Sequence, residues 1–149
     1  MTENPGRGGP ALPRLAGMST DTLVTLAGVT ALAGAPDGPR ICGGDDATDV
    51  IGAALGHGVD LVVLPVRRLA VEFFTLRTGV AGAVVQKFVN YRLRLAVVGD
   101  ISGHVGRSTA LRDFVVEANR GGQLWFVDTM AELEERLRVE ALRQDAGGR

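Results

Sequence analysis

The sequence predicts an α/β fold: a single domain with a mostly parallel β-sheet of about four to six strands, packed helices, and an N-terminal strand or hairpin. Two observations carry this. First, Asp60–Leu64, Leu93–Val98 and Gln123–Val127 are short, nearly continuous apolar runs. Strands buried on both faces read this way, whereas half-exposed strands alternate. Second, helical patterns separate these runs, and a β-α-β-α-β-α order needs crossover connections, which make neighbouring strands parallel. The length of 149 residues suits one domain with a sizeable core. With 46% hydrophobic and only 5% aromatic residues, that core is aliphatic.

The elements follow in order. Residues 1–20 are rich in Gly and Pro and read as a flexible leader. Leu23–Ala33 is apolar and punctuated by Gly28 and Gly34, as in a hairpin or two short strands. Pro36-Asp37-Gly38-Pro39 is a turn, and Arg40-Ile41-Cys42 a short strand. Asp45 or Asp46 caps a helix carrying Val50, Ile51, Ala54 and Leu55, which ends near Gly56 or Gly58. After the strand bounded by Pro65, a short helix spans Ala70–Leu76, and Thr78 caps a second helix over Val80–Tyr91. Ile101–Arg107 is a loop, Ser108 caps a helix to about Ala118, and Gly121-Gly122 break the chain. Asp128 or Thr129 caps a final helix carrying Met130, Leu133 and Leu137. The domain spans residues 21–142, and residues 143–149 read as a fraying tail.

Composition narrows the function classes. A net charge of −1 lacks the basic surplus of a nucleic-acid binder. Fifteen Arg stand against one Lys, a skew that fits coding bias better than phosphate binding. The single Cys42 rules out an intramolecular disulfide and a Cys-based zinc site, and the cytoplasm is the expected compartment. No signal-peptide core stands at the N-terminus, and no apolar run reaches the roughly 20 residues that span a bilayer. No cofactor motif is present. Asp45, Asp46 and Asp49 suit helix capping better than a metal site.

Phe73–Arg94 stands out. It holds the only Lys (Lys87), the only Tyr (Tyr91) and three of the five Phe, and it gathers Gln86, Asn90 and Arg92. At 100° per residue, Val80, Ala81, Val84, Val85, Phe88 and Tyr91 share an apolar face. Gln86 and Asn90 share another, flanked by Gly82 and Ala83. Three readings fit that second face: internal packing, a homodimer or protein-partner contact through small and amide residues, or a pocket in which Lys87, Asn90 and Arg92 hold a small anionic ligand. Phe73 and Phe74 diverge by about 100° on a helix, so one enters the core and the other covers an interface or pocket edge.

The Gly99–Ser108 stretch joins a strand to a helix start, where ligands of parallel sheets often sit. Asp100, Ser102, Arg107 and Ser108 form a candidate anion-binding loop, with free N–H groups at the helix start beside Arg107. The loop matches neither GxGxxG nor the P-loop pattern. His104 is a candidate general base near Asp100 but lacks a positioned partner. His57 fits a helix end, and Glu72 and Arg77 either pair or face a pocket.

Certain residues in combination carry a resemblance. They are Glu72-Phe73-Phe74-x-Leu76-Arg77-Thr78-Gly79-x-Ala81-Gly82, Gln86-Lys87-Phe88-x-Asn90-Tyr91-Arg92, Ala96-Val97-Val98-Gly99-Asp100, Ser108-x-Ala110-Leu111-Arg112-Asp113-Phe114 and Glu117-x-Asn119-Arg120-Gly121. From about Ile41 to Leu137 the chain resembles the bacterial domain-of-unknown-function family 4180, which often has Asp where Thr75 stands. The resemblance implies a small bacterial cytoplasmic α/β protein and supplies no catalytic assignment. The β-α-β order is also similar to STAS (sulfate-transporter and anti-sigma-factor-antagonist) domains at the level of fold, with Ser102 as a candidate for phosphorylation. The expectation is a non-enzymatic regulatory or binding module, a homo-oligomer, acting through the Phe73–Arg92 surface. The alternatives are an enzyme or ligand-binding protein for a small anion at residues 99–108, and a phosphorylatable STAS-like domain.

Overall fold

A computed structural model describes residues 21–147; the expected leader lies outside them. Five strands form one sheet: β1 (Thr22–Leu26), β2 (Val29–Ala33), β3 (Leu61–Pro65), β4 (Arg94–Val98) and β5 (Leu124–Val127). Their spatial order is β1-β2-β3-β4-β5; β1 and β2 are antiparallel and every later pairing is parallel. The helices are α1 (Gly44–His57), α2 (Val80–Asn90), α3 (Ser102–Gly106), α4 (Thr109–Arg120) and α5 (Met130–Gly147). The mostly parallel α/β sheet with its N-terminal hairpin is therefore present.

Sequential strand order decides where the helices go. Each step from β2 to β5 moves one place in the same direction, so right-handed crossovers deliver every connecting helix to one face. The core follows this division. Val62, Leu64, Leu95, Val97, Leu124 and Phe126 pack under residues of α1, α2 and α4. Ala31, Leu61, Val63, Ala96, Trp125 and Val127 pack on the other face under Leu133 and Leu137 of α5. Alternate residues of each strand thus feed two cores, which is why the strand runs are continuously apolar.

Local chemistry sets the joints. The hairpin turns through Ala27 and Gly28, both at positive φ (51° and 81°), as a two-residue turn that matches strand twist requires. The Ser108 hydroxyl accepts the Leu111 N–H at 3.1 Å and caps α4 as expected. Thr129 caps α5 by accepting the Glu132 N–H, while the Glu132 carboxylate accepts the N–H of Asp128. The Asn119 side chain accepts the Phe126 N–H at 2.7 Å and so satisfies a donor on edge strand β5. Trp125 lies beneath the Arg136 guanidinium, 4.3 Å from its ring centre, and donates to the Gly121 carbonyl at 2.6 Å.

Several expectations need correction. The helix over Ala70–Leu76 is instead a chain of 3-10 turns at Val66–Arg68, Val71–Phe74 and Leu76–Thr78. A long-range bridge interrupts it: Ile41 N–H donates to Arg68 O at 2.6 Å, and Ala70 N–H donates to Ile41 O at 3.1 Å. That bridge holds Leu69 extended, so an α-helical ladder cannot start there. The expected strand at Arg40–Cys42 reduces to this same bridge. The loop at Ile101–Arg107 contains the short helix α3. Gly43, rather than an Asp, is the N-cap of α1; Asp46 instead accepts the Cys42 N–H. Gly79, in the left-handed region, precedes α2, with the Thr78 hydroxyl accepting the Val80 N–H from one residue earlier. α5 continues into the stretch expected to be a tail.

One buried charge was not foreseen. Arg68 is 3% exposed. Its Nε donates to Pro39 O at 2.7 Å, and one Nη donates to the Asp21 carboxylate and to Ala35 O, both at 3.0 Å. The guanidinium ties the start of β1, the loop after β2 and the end of β3 together. Charge-assisted hydrogen bonds to all these acceptors offset its desolvation.

Candidate functional site

The sheet order puts the segments that follow β3 and β4 side by side at the carboxyl edge of the strands. Gly99 permits a close approach there: its φ is 140°, and a Cβ on it would lie 2.7 Å from Val66 Cγ2. Val66 opens the 3-10 turns and Gly99 leads to α3, so the two connections are held together at their roots.

Beyond this joint lies a cavity of about 420 Å³ lined by Val71, Phe74, Thr75, Leu76, Arg77, His104, Arg107, Ser108 and Ala110. Phe74 stacks on the His104 imidazole with centroids 4.2 Å apart and planes 10° apart. Phe73, fully buried, meets Phe74 edge-on at 5.3 Å and anchors it to the core. Both rings are buried in the core, and Phe74 also borders the cavity. Arg77 and Arg107 are exposed, and neither guanidinium has a hydrogen-bond or ion-pair partner among the described residues. Among the described residues no carboxylate lines the cavity. At the start of α4, the Thr109 and Ala110 N–H groups precede the first intrahelical donor, Arg112 N–H to Ser108 O, so they are free of helix partners. The arrangement is a concave, cationic site with one aromatic wall.

The loop predicted as a unit is split. Arg107 and Ser108 line this cavity, whereas Asp100 and Ser102 line a second one of about 350 Å³ with Asn119, Asp128 and Glu132. The second cavity lies between the ends of β4 and β5 and is acidic. Its carboxylates are engaged locally: Asp100 accepts the Ser102 N–H at 2.8 Å, and Glu132 accepts the Asp128 N–H at 2.8 Å. The Ser102 backbone N–H, with its hydroxyl second, holds the Asp100 carboxyl below the ordinary carboxylate value. Among the described residues no cluster of three or more His, Cys, Asp or Glu is arranged to hold a metal ion.

The Phe73–Arg92 segment is likewise divided. Phe74 and Arg77 belong to the cavity. Gln86 and Asn90 bond each other along exposed α2, Gln86 Nε2 donating to Asn90 Oδ1 at 2.9 Å. Lys87 reaches α1, where its Nζ donates to Thr48 Oγ1 at 2.9 Å. Tyr91, expected on the core face, is 51% exposed because α2 ends there; Ala81, Val84 and Phe88 supply the buried face. Arg92 follows at a positive φ of 59°. Since α2 runs back across the sheet, Lys87, Asn90, Tyr91 and Arg92 do not converge with Asp100 and Ser102, and none of them lines either cavity. Gly82 faces open space.

The pairing of Arg77 with Arg107 had no linear signal, since thirty positions separate them. His104 and Thr75 join the site for the same reason: neighbouring parallel strands bring their following segments together.

Residues 27–137 match the family described as Domain of unknown function (DUF4180). The chain belongs to that family. The matched span of this DUF4180 chain runs from the hairpin turn to Leu137 on α5 and takes in every residue of the cationic cavity. No curated protein and no solved structure matches the chain. No helix among the described residues is long and apolar enough to cross a membrane.

Proposed function

We propose that this DUF4180 protein is a non-enzymatic binding module that takes a small anion in the cavity between the turn at Phe73–Arg77 and the start of α4. One observation carries the reading: Arg77 and Arg107 arrive from different connections, line one concavity that has no carboxylate, and are free of protein partners among the described residues. Two uncompensated guanidiniums lining one concavity repel each other, and a bound anion relieves that repulsion. The free N–H groups of α4 add to the same field. Binding rather than catalysis fits the side chains present, because His104 spends its face on Phe74 and has no carboxylate beside it in the cavity.

Phosphorylation of Ser102, as in a STAS-like switch, is disfavoured by its surroundings. A phosphate there would stand against Asp100 and share a cavity with Asp128 and Glu132, where like charges repel.

Thermal unfolding with inorganic phosphate tests the reading. A ligand that binds only the folded state raises the melting temperature with concentration. The rise should appear in wild type and vanish in Arg107→Gln at matched ionic strength. Absence of any rise with phosphate, sulfate or acetate in wild type would overturn it.

A further inference from the structure

We infer that the anion taken by this cavity carries an apolar, flat body, as an aryl phosphate does; the inference rests on the binding reading above and names its ligand class. Size is the first argument. A cavity of about 420 Å³ is far larger than one phosphate group fills. Pockets of roughly 300–1,000 Å³ hold organic ligands.

The second argument is the distribution of chemistry around the cavity. Its cationic groups are Arg77 and Arg107, which suit one anionic group rather than a chain of phosphates. The rest of the lining includes Val71, Phe74, Leu76 and Ala110. Val71 is 58% exposed, a large aliphatic side chain left uncovered on the wall of a polar site. An inorganic ion gives it nothing to pack against; an apolar body covers it and gains burial energy.

The third argument is rigidity. Phe74 is 4% exposed and fixed by Phe73 behind it, and the His104 ring lies flat against it, so the aromatic side of the cavity is preset. A preset wall costs little conformational entropy on binding. Such a surface suits a ring better than a flexible chain.

Isothermal titration of the full chain with phenyl phosphate and with inorganic phosphate, at one ionic strength, tests this. Wild type should bind phenyl phosphate about tenfold more tightly, equivalent to about 1.4 kcal/mol. Val71→Ser, at an exposed position, should cut that advantage to threefold or less. Equal affinities in wild type would overturn the inference while leaving the anion site standing. So would an advantage that survives Val71→Ser intact. If neither compound binds, both the inference and the binding reading fall.

Discussion

The Phe74 ring and the His104 imidazole lie parallel, 4.2 Å between centroids. Phe74 belongs to the turns after β3 and His104 to α3 after β4, so the stack closes one end of the cavity and joins its two sides. Aromatic pairs contribute about 0.5–1.5 kcal/mol beyond area burial. His104→Ala should therefore lower unfolding free energy by about 1 kcal/mol, and His104→Phe should keep most of it. Urea unfolding midpoints measure both. An equal loss in the two variants would show that the stack itself adds nothing.

Arg68 should be among the most sensitive positions. Removing it strips the Asp21 carboxylate of its cation and leaves Pro39 O without its donor, while Asp21 and Ala35 O keep only the Ala35 and Gly38 N–H groups; breaking a buried ion pair costs about 3–5 kcal/mol. Gly38→Ala should be costly for a linked reason: a Cβ there would lie 2.7 Å from Arg68 Nη1. Overpacking of this kind costs about 1–3 kcal/mol. In the Arg68→Ala background the added cost of Gly38→Ala should shrink towards zero. A double-mutant cycle reads the coupling, and strict additivity would contradict the latch.

Arg92 sits where helix ends favour glycine. Leu93 N–H donates to Phe88 O at 2.8 Å and Arg92 N–H to Val89 O at 3.0 Å, a Schellman ending with Arg92 in the left-handed position. Relief of that conformation should make Arg92→Gly more stable by about 0.5–1 kcal/mol, after the entropy glycine adds to the unfolded chain. Denaturant midpoints check it. A loss of stability would mean that the Arg92 side chain makes a stabilising contact.

Asp100 should titrate below an ordinary aspartate. Its folded-state value is lowered, so the contribution of its turn to stability is present above the unfolded-state value and is lost as pH falls through the lowered one. Carboxyl chemical shifts followed by NMR should place its midpoint below the peptide value of about 3.9. Ser102→Ala removes the hydroxyl and keeps the larger contribution, the backbone N–H, so the midpoint should rise only part of the way. A full return to the peptide value in that variant would contradict the order of causes.

Much of the fold was legible because its signals are local. Apolar runs such as Leu61–Leu64 needed no partner to identify them, and Ser108 caps α4 with atoms three residues apart. The turns at Val66–Thr78 were misread because a distant residue, Ile41, captures the backbone at Arg68 and Ala70. The site was legible in part. Arg77 and Arg107 each stood out beside a turn or loop, but only the β3–β4 adjacency joins them. Conversely, Asp100 and Arg107 are seven positions apart and line different cavities, because α3 intervenes. Gln86 and Asn90, read as amides of a packing, interface or pocket face, satisfy each other at i and i+4.

The central claim is that Arg77 and Arg107 hold an anion at the start of α4. A phosphate titration followed by amide NMR, with ionic strength held constant, tests it most directly. The account predicts saturable shifts of the Thr109 and Ala110 amides in wild type, reduced in both Arg77→Gln and Arg107→Gln. Shifts that never saturate, that centre elsewhere on the surface, or that persist unchanged in both variants would contradict it.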